Sequence, residues 1–231
     1  MDADFDRKGL QMTITTYTSL GSAVSEWMAR AGDTDIATRF DDLLALQEQR
    51  MYYGAKEVPG ILPAFEPLRI REMENTDTAF ALTATVAQPT GFLELISAYL
   101  NNYGPLEISS QSTIDSYANQ TAATPLIIAP SGTNFRVWPD PGTGSYTATL
   151  RYYKKLTSPS ATNATNWILT NAPGVYLNGC LLQAALYTGD MEAAKTYGAL
   201  YVAEVGGLNE RRNGELRGAH NVKIRVRGRT P

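Results

Sequence analysis

The placement of proline divides this chain before any other feature is read. Ten of the 12 prolines fall between Pro59 and Pro159, and an interior proline removes a backbone donor and clashes with the preceding turn of a helix. These prolines interrupt any long helix across that stretch. Long helices are therefore confined to the two ends of the chain.

Apolar periodicity agrees with that division. Thr18 or Ser19 is placed to cap a first helix, in which Leu20, Val24, Trp27, Met28 and Ala31 form one stripe of a 3.6-residue period. Gly32 ends it. Asp33 or Asp35 opens a second, with Ile36, Phe40, Leu43, Leu44, Gln47 and Met51 on one face toward Gly54. Near the other end, Pro173 suits a first helical turn, and Val175, Leu177, Leu181, Leu182, Ala185 and Leu186 are apolar on more than one side, as in a central helix. Asp190 caps the last helix, whose stripe is Ala194, Tyr197, Tyr201, Val205 and Leu208.

Between the prolines the period changes to two. Phe80, Leu82, Ala84 and Val86 alternate with Ala81, Thr83 and Thr85, the pattern of a half-buried strand. Leu126 to Ile128 and Phe135 to Trp138 flank a Pro-Ser-Gly-Thr-Asn turn, and Tyr146 to Tyr153 continues the sheet. A short helix over Thr113 to Gln120 is expected inside this region. The predicted fold class is α+β, mainly α: a four-helix bundle with an antiparallel β-rich insertion between helices 2 and 3 and an extended C-terminal arm. The expected boundaries are residues 1–57 and 161–209 for the bundle, 58–160 for the insertion and 210–231 for the arm.

Charge marks the arm. The net charge is -3, from 20 Lys and Arg against 23 Asp and Glu. Seven of those cations and two of those anions lie from Glu210 onward, which leaves 13 against 21 in the body. An acidic body with a basic tail needs an acidic partner, either nucleic acid or a protein surface. Val222 to Arg227 alternates apolar with basic residues, a strand period, and Gly206, Gly207, Gly214 and Gly218 supply joints before it. So little apolar content predicts an arm that orders only on its partner.

Catalytic chemistry finds few candidates. The one histidine, His220, lies in the basic tail, where a triad has no scaffold. The one cysteine, Cys180, sits among leucines and reads as a core residue; alone it can form no intrachain disulfide, so a reducing compartment is expected. Glu72 and Glu74 would share a face of an extended strand, as a hydrolase pair would, but Arg69 and Arg71 favour ion pairing. Asp33 and Asp35 lack the glycine and terminal glutamate of a calcium loop. Gly142 and Gly144 read as a turn, with no helix after them to cradle phosphate. No cofactor, metal or membrane span is expected. An alternative to a protein partner is a nucleic-acid-binding module that combines the tail with stacking on Tyr152 and Tyr153, beside Lys154 and Lys155.

Several stretches together resemble a known family. Residues Tyr152 to Leu156 (YYKKL), Asn166 to Tyr176 (NWILTNAPGVY) and Tyr187 to Asp190 (YTGD), with LRIREME and GFLELISAYLN before them, resemble the head-to-tail adaptor or connector proteins of tailed bacteriophages, most of all those of short-tailed phages. The resemblance runs from about Thr16 to Leu208. The connection from Glu57 to Pro67, with three prolines, is longer than that pattern.

The resemblance implies a structural virion protein and not an enzyme. It implies a homo-oligomeric ring, usually of twelve copies, located at the head-tail interface after synthesis in the host cytoplasm. The portal protein would be the upper partner and tail nozzle or fibre proteins the lower. Genomic DNA would pass through the lumen without sequence-specific binding. Carried onto this chain, the portal-docking residues are Arg211, Arg212, Arg217, Lys223, Arg225, Arg227 and Arg229, and the ring-interface candidates are Trp167, Val175, Tyr176 and Tyr187. A ring interface is heterologous, so each copy needs two different complementary patches.

Overall fold

The computed structural model describes residues 14–28, 34–117 and 122–219. The chain divides into two units, one of residues 1–69 with 157–231 and the other of residues 70–156.

The first unit is helical. Helix α1 (Tyr17–Trp27) starts at Thr16, where the Thr16 and Ser19 side chains cap each other's backbone N–H groups. The cap thus falls before the expected Thr18 or Ser19. Gly32 and Asp33 lie outside the described residues. The expected second helix is two pieces, α2 (Thr34–Thr38) and α3 (Phe40–Tyr53), separated at Arg39 with φ -94° and ψ 5°. Gly54 ends α3 at φ +69°, with its Cα against the Phe65 carbonyl, a conformation that a residue with a Cβ adopts only with strain. The three-proline connection then folds back on itself, with Ala55 paired to Phe65 and Val58 to Leu62.

Helix α5 (Trp167–Asn171), capped by Asn166 on the Leu169 N–H at 2.9 Å, leads into α6 (Pro173–Thr188). Every residue of α6 from Val175 to Ala185 is buried. The helix is enclosed because α1, α3, α5 and α7 (Met191–Ala219) all pack on it. Asp190 caps α7, accepting from the Ala193 N–H at 3.0 Å. The core of this unit is therefore α6 itself, and each fully buried leucine on it contributes on the order of 1.5–3 kcal/mol.

The second unit is a curled seven-stranded sheet. A 3-10 turn (Arg71–Met73) opens β1 (Glu74–Leu82), which passes through Thr83 and Ala84 into β2 (Thr85–Ala87). Then follow β3 (Phe92–Leu100), β4 (Gly104–Ile108), helix α4 (Gln111–Ser116), β5 (Ile127–Ser131), β6 (Asn134–Trp138) and β7 (Tyr146–Lys154). The strand order is β1-β7-β3-β4-β5-β6-β2. The two edge strands are thus consecutive in the chain, and the Val137 N–H reaches the Ala84 carbonyl at 3.1 Å where they meet. Leu82, Leu95, Leu100, Phe135, Leu150 and Tyr152 belong to the core enclosed by the curl. A smaller core of Ile114, Ile127 and Ala129 lies beneath α4.

These observations correct the expected fold class. The chain is a mixed fold with a seven-stranded sheet that has its own core, not a mainly helical four-helix bundle carrying a small antiparallel insertion. The sheet is not purely antiparallel, since β4 and β5 run parallel. The connection through α4 makes that pairing possible, because parallel neighbours need a crossover. Nor does an extended arm begin at Glu210: α7 continues as helix to Ala219. Two adjacent arginines and the Glu-Leu-Arg run are good helix formers, and they carry the helix past the glycines. Residues 220–231, including the alternating run from Val222 to Arg227, lie outside the described residues.

Candidate functional site

The basic end of α7 is where charge and architecture coincide. Asn209 fastens this part of the helix to the chain ahead of the sheet unit: its Oδ1 accepts from the Arg69 N–H at 2.9 Å and its Nδ2 donates to the Pro67 carbonyl at 3.1 Å. Two residues on, the Arg211 guanidinium lies over the Trp167 ring, 5.6 Å from its centroid, a cation–π contact. One portal-docking candidate and one ring-interface candidate therefore touch. Arg212 is half-buried. Arg217 belongs to α7, while Lys223, Arg225, Arg227 and Arg229 lie outside the described residues.

The four ring-interface candidates separate by burial. Val175 and Tyr176 are fully enclosed inside the helical unit, so their side chains serve its core. Tyr176 donates to Glu48 Oε1 at 2.8 Å and accepts from Asn166 Nδ2 at 2.8 Å. Trp167 is half-buried, and Tyr187 is 47% exposed. The Tyr187 hydroxyl donates to Asp35 at 2.8 Å, and Arg39 lies over its ring at 5.3 Å.

The catalytic candidates are dispersed. Cys180 is fully buried; desolvation first and the Glu48 charge second push its thiol well above the ordinary range, which leaves no thiolate to react. Glu74 pairs with Arg151 of β7 at 2.9 Å. Glu72 sits in the 3-10 turn before β1, so the two carboxylates do not share a strand face. His220 lies outside the described residues, as does Asp33. Among the described residues no group of His, Cys, Asp and Glu is arranged to hold a metal ion. No helix among them is long and apolar enough to cross a membrane. Tyr152 and Tyr153 are each 3% exposed, so neither offers a face to a nucleobase.

A family model described as SU10 adaptor protein matches residues 15–224, nearly the whole chain. The chain belongs to the SU10 adaptor protein family. No curated protein matches it. The match covers both units and most of α7, and it agrees with the resemblance to phage adaptors drawn from the sequence motifs. This SU10 adaptor is accordingly a phage adaptor, a structural virion protein of the head-tail region.

Three polar features of the SU10 adaptor escape a reading of apolar stripes. Asn209 is one, because a side chain that bonds backbone 140 positions away leaves no local signal. Arg50 is another: it lies over the Phe65 ring at 4.6 Å, and desolvation lowers its pKa. The third is Glu204, whose Oε1 accepts from Asn178 Nδ2 at 3.0 Å while Oε2 is buried with no donor among the described residues. Burial raises the Glu204 pKa above the usual carboxylate range, and the Asn178 bond opposes the rise. Glu204 also lines a hollow of about 290 Å³ with Ala172, Gly174, Val175, Ala203, Gly207 and Leu208.

Proposed function

We propose that this adaptor assembles as a ring between the portal and the tail machinery, with residues 210–231 docking on the portal. The observation that carries the reading is position: seven of the chain's 20 basic side chains lie at or beyond the last turns of a 29-residue helix. A long helix carries its end away from the body at about 1.5 Å per residue. The portal would offer an acidic cleft, and tail nozzle or fibre proteins would bind elsewhere on the ring. A ring of twelve, the number that the phage-adaptor resemblance implies, would present twelve such ends. Each engaged end raises the effective concentration of the others, so a tight joint follows from weak individual contacts.

The body before Glu210 carries 13 basic and 21 acidic residues. A lumen lined by such a body would repel phosphate and let genomic DNA pass without being held. Of the four ring-interface candidates, Trp167 and Tyr187 keep exposed surface and are the ones available to a neighbouring copy.

Capture on purified portal rings tests the docking. Full-length protein should be retained and protein lacking residues 210–231 should not. Retention of the truncated protein would sink the proposal. Steep salt-dependent binding of duplex DNA by full-length protein that ignores portals would replace it with a nucleic-acid role.

A further inference from the structure

Helix α7 runs without interruption through Gly198, Gly206, Gly207 and Gly214. Each helix-interior glycine shifts the local helix–coil balance toward coil by about four- to fivefold relative to alanine. At Gly198 an added Cβ would sit at ordinary contact distance, 3.5 Å from Pro63 and 3.7 Å from Leu62 and Phe65. Packing does not account for the adjacent pair Gly206 and Gly207, since a Cβ at either would meet nothing within 4 Å. Alanine would fit at both positions, and neither has a positive φ.

A close approach by another chain does not explain the pair either. Consecutive residues project about 100° apart around a helix, so one approaching surface can require glycine at 206 or at 207 but not at both. What two adjacent glycines share is backbone freedom, and Gly pairs are a recurring cause of helix kinks.

The surroundings fit a joint at this point. Val205 is the last fully buried apolar side chain of α7 among the described residues. Beyond the glycines the helix is held by half-buried Leu208, the two Asn209 bonds to residues 67 and 69, and the Arg211 contact with Trp167. The 290 Å³ hollow lined by Gly207, Leu208, Ala203, Glu204 and Gly174 leaves room beside the pair for the helix to bend. We infer that Gly206–Gly207 is a hinge and Asn209 its latch: with the latch closed α7 is one helix, and with it open the segment from Leu208 swings. That the swing serves portal docking rests on the function proposed above; the hinge and latch do not.

Amide hydrogen exchange on the full chain tests this, with far-UV circular dichroism to show that each variant folds. In the native protein, residues 208–219 should exchange faster than residues 191–205. Gly206→Ala with Gly207→Ala should slow exchange across 208–219 by about tenfold or more, from two factors of about four to five. Asn209→Ala should quicken it several-fold and leave 191–205 unchanged. Unchanged exchange at 208–219 in the double alanine variant overturns the hinge, and unchanged exchange in Asn209→Ala overturns the latch. Portal capture of the same proteins is read separately. If the protein lacking residues 210–231 still binds portals, the docking reading fails while the exchange results decide the hinge.

Discussion

Gln47 of α3 crosses α6 over Gly179, so close that a Cβ on residue 179 would occupy the space of the Gln47 side chain. There the Gln47 amide, 1% exposed, donates to the Val175 carbonyl at 2.9 Å. A polar side chain is thus accepted into the most buried helix of the molecule because a glycine opposite leaves it room. Gly179→Ala should destabilise the protein by about 1–3 kcal/mol, the usual effect of overpacking a core. Pairing it with Gln47→Ala should recover part of that loss, because the clash has gone. Urea denaturation of the four proteins of this cycle gives the coupling. Additive losses would show that the two residues do not share the space.

Tyr176 stands at a second polar junction in the same core. Its hydroxyl joins Glu48 on α3 to Asn166, which also donates to the Thr157 carbonyl at 3.0 Å and caps α5. Tyr176→Phe removes the donor to a carboxylate oxygen and should cost about 1–3 kcal/mol. Burial, then the charge of Glu48, pushes the phenol far above its ordinary range. In a spectrophotometric titration Tyr176 should stay unionised until the protein unfolds, and Tyr176→Phe should not change the number of tyrosines that ionise before unfolding.

Four helical stretches were legible from their apolar patterns and end signals, although the second is broken at Arg39 and α5 gave no signal that was read. Pro173, Asp190 and Gly54 stand where the sequence places them. The sheet was legible where it alternates cleanly, as in β6 and β7, and where a turn signal marks a hairpin, as between β5 and β6. Strand β3 was hidden because two register shifts, at Phe92/Glu94 and at Leu95/Ser97, break its alternation. Strand β4 opens on Gly104-Pro105, a turn signal. The first half of β1, Glu-Asn-Thr-Asp-Thr, has no apolar face at all. At the basic end, charge position could be read, but the persistence of helix past Asn209 was missed: the glycines outweighed the helix-forming Arg-Arg and Glu-Leu-Arg runs, and the contacts with residues 67, 69 and 167 that support the helix are distant in sequence.

Tyr17 and Asp41 tie α1 to α3 through a hydroxyl–carboxylate bond. That bond first, with burial and the Asp41 charge behind it, pushes the Tyr17 pKa up to about 12 from 10.0. A phenol whose folded pKa is raised gives stability that is full below its unfolded pKa and is lost as pH rises through the folded value. Stability should therefore fall across pH 10 to 12 in proportion to this bond. In Tyr17→Phe that part of the alkaline loss should be absent, as seen in chemical denaturation at stepped pH. An identical slope in the two proteins would show that the bond is not maintained in solution.

Glu204 gives a pH dependence in the acidic range. Its folded pKa lies above the ordinary 4.5 because burial disfavours the carboxylate. Its contribution is full when the group is protonated in both states, and it is lost as pH rises from about the unfolded value through the folded one. Glu204→Gln preserves an oxygen for Asn178 and removes the charge. The variant's Tm should gain on the native protein's between pH 4 and pH 7. A difference that stays constant across that range would mean that Glu204 is not desolvated as the fold places it.

The buried position of Tyr152 separates the two readings of the basic segment. The ring packs against Phe92 at 5.8 Å, and the hydroxyl accepts from Asn75 Nδ2 at 2.8 Å, so the residue is committed to the sheet core and not to a ligand. Tyr152→Leu keeps an apolar side chain there but removes the aromatic face; it should lower the Tm, since the Asn75 donor is left unpaired. It should not change retention of single-stranded DNA at low salt, measured on protein shown to be folded. Any such retention should instead follow the cations at 211, 212, 217, 223, 225, 227 and 229, falling on their removal together with the slope of binding against salt. Loss of DNA retention in folded Tyr152→Leu would require a stacking platform in the sheet, and a core that opens to provide it.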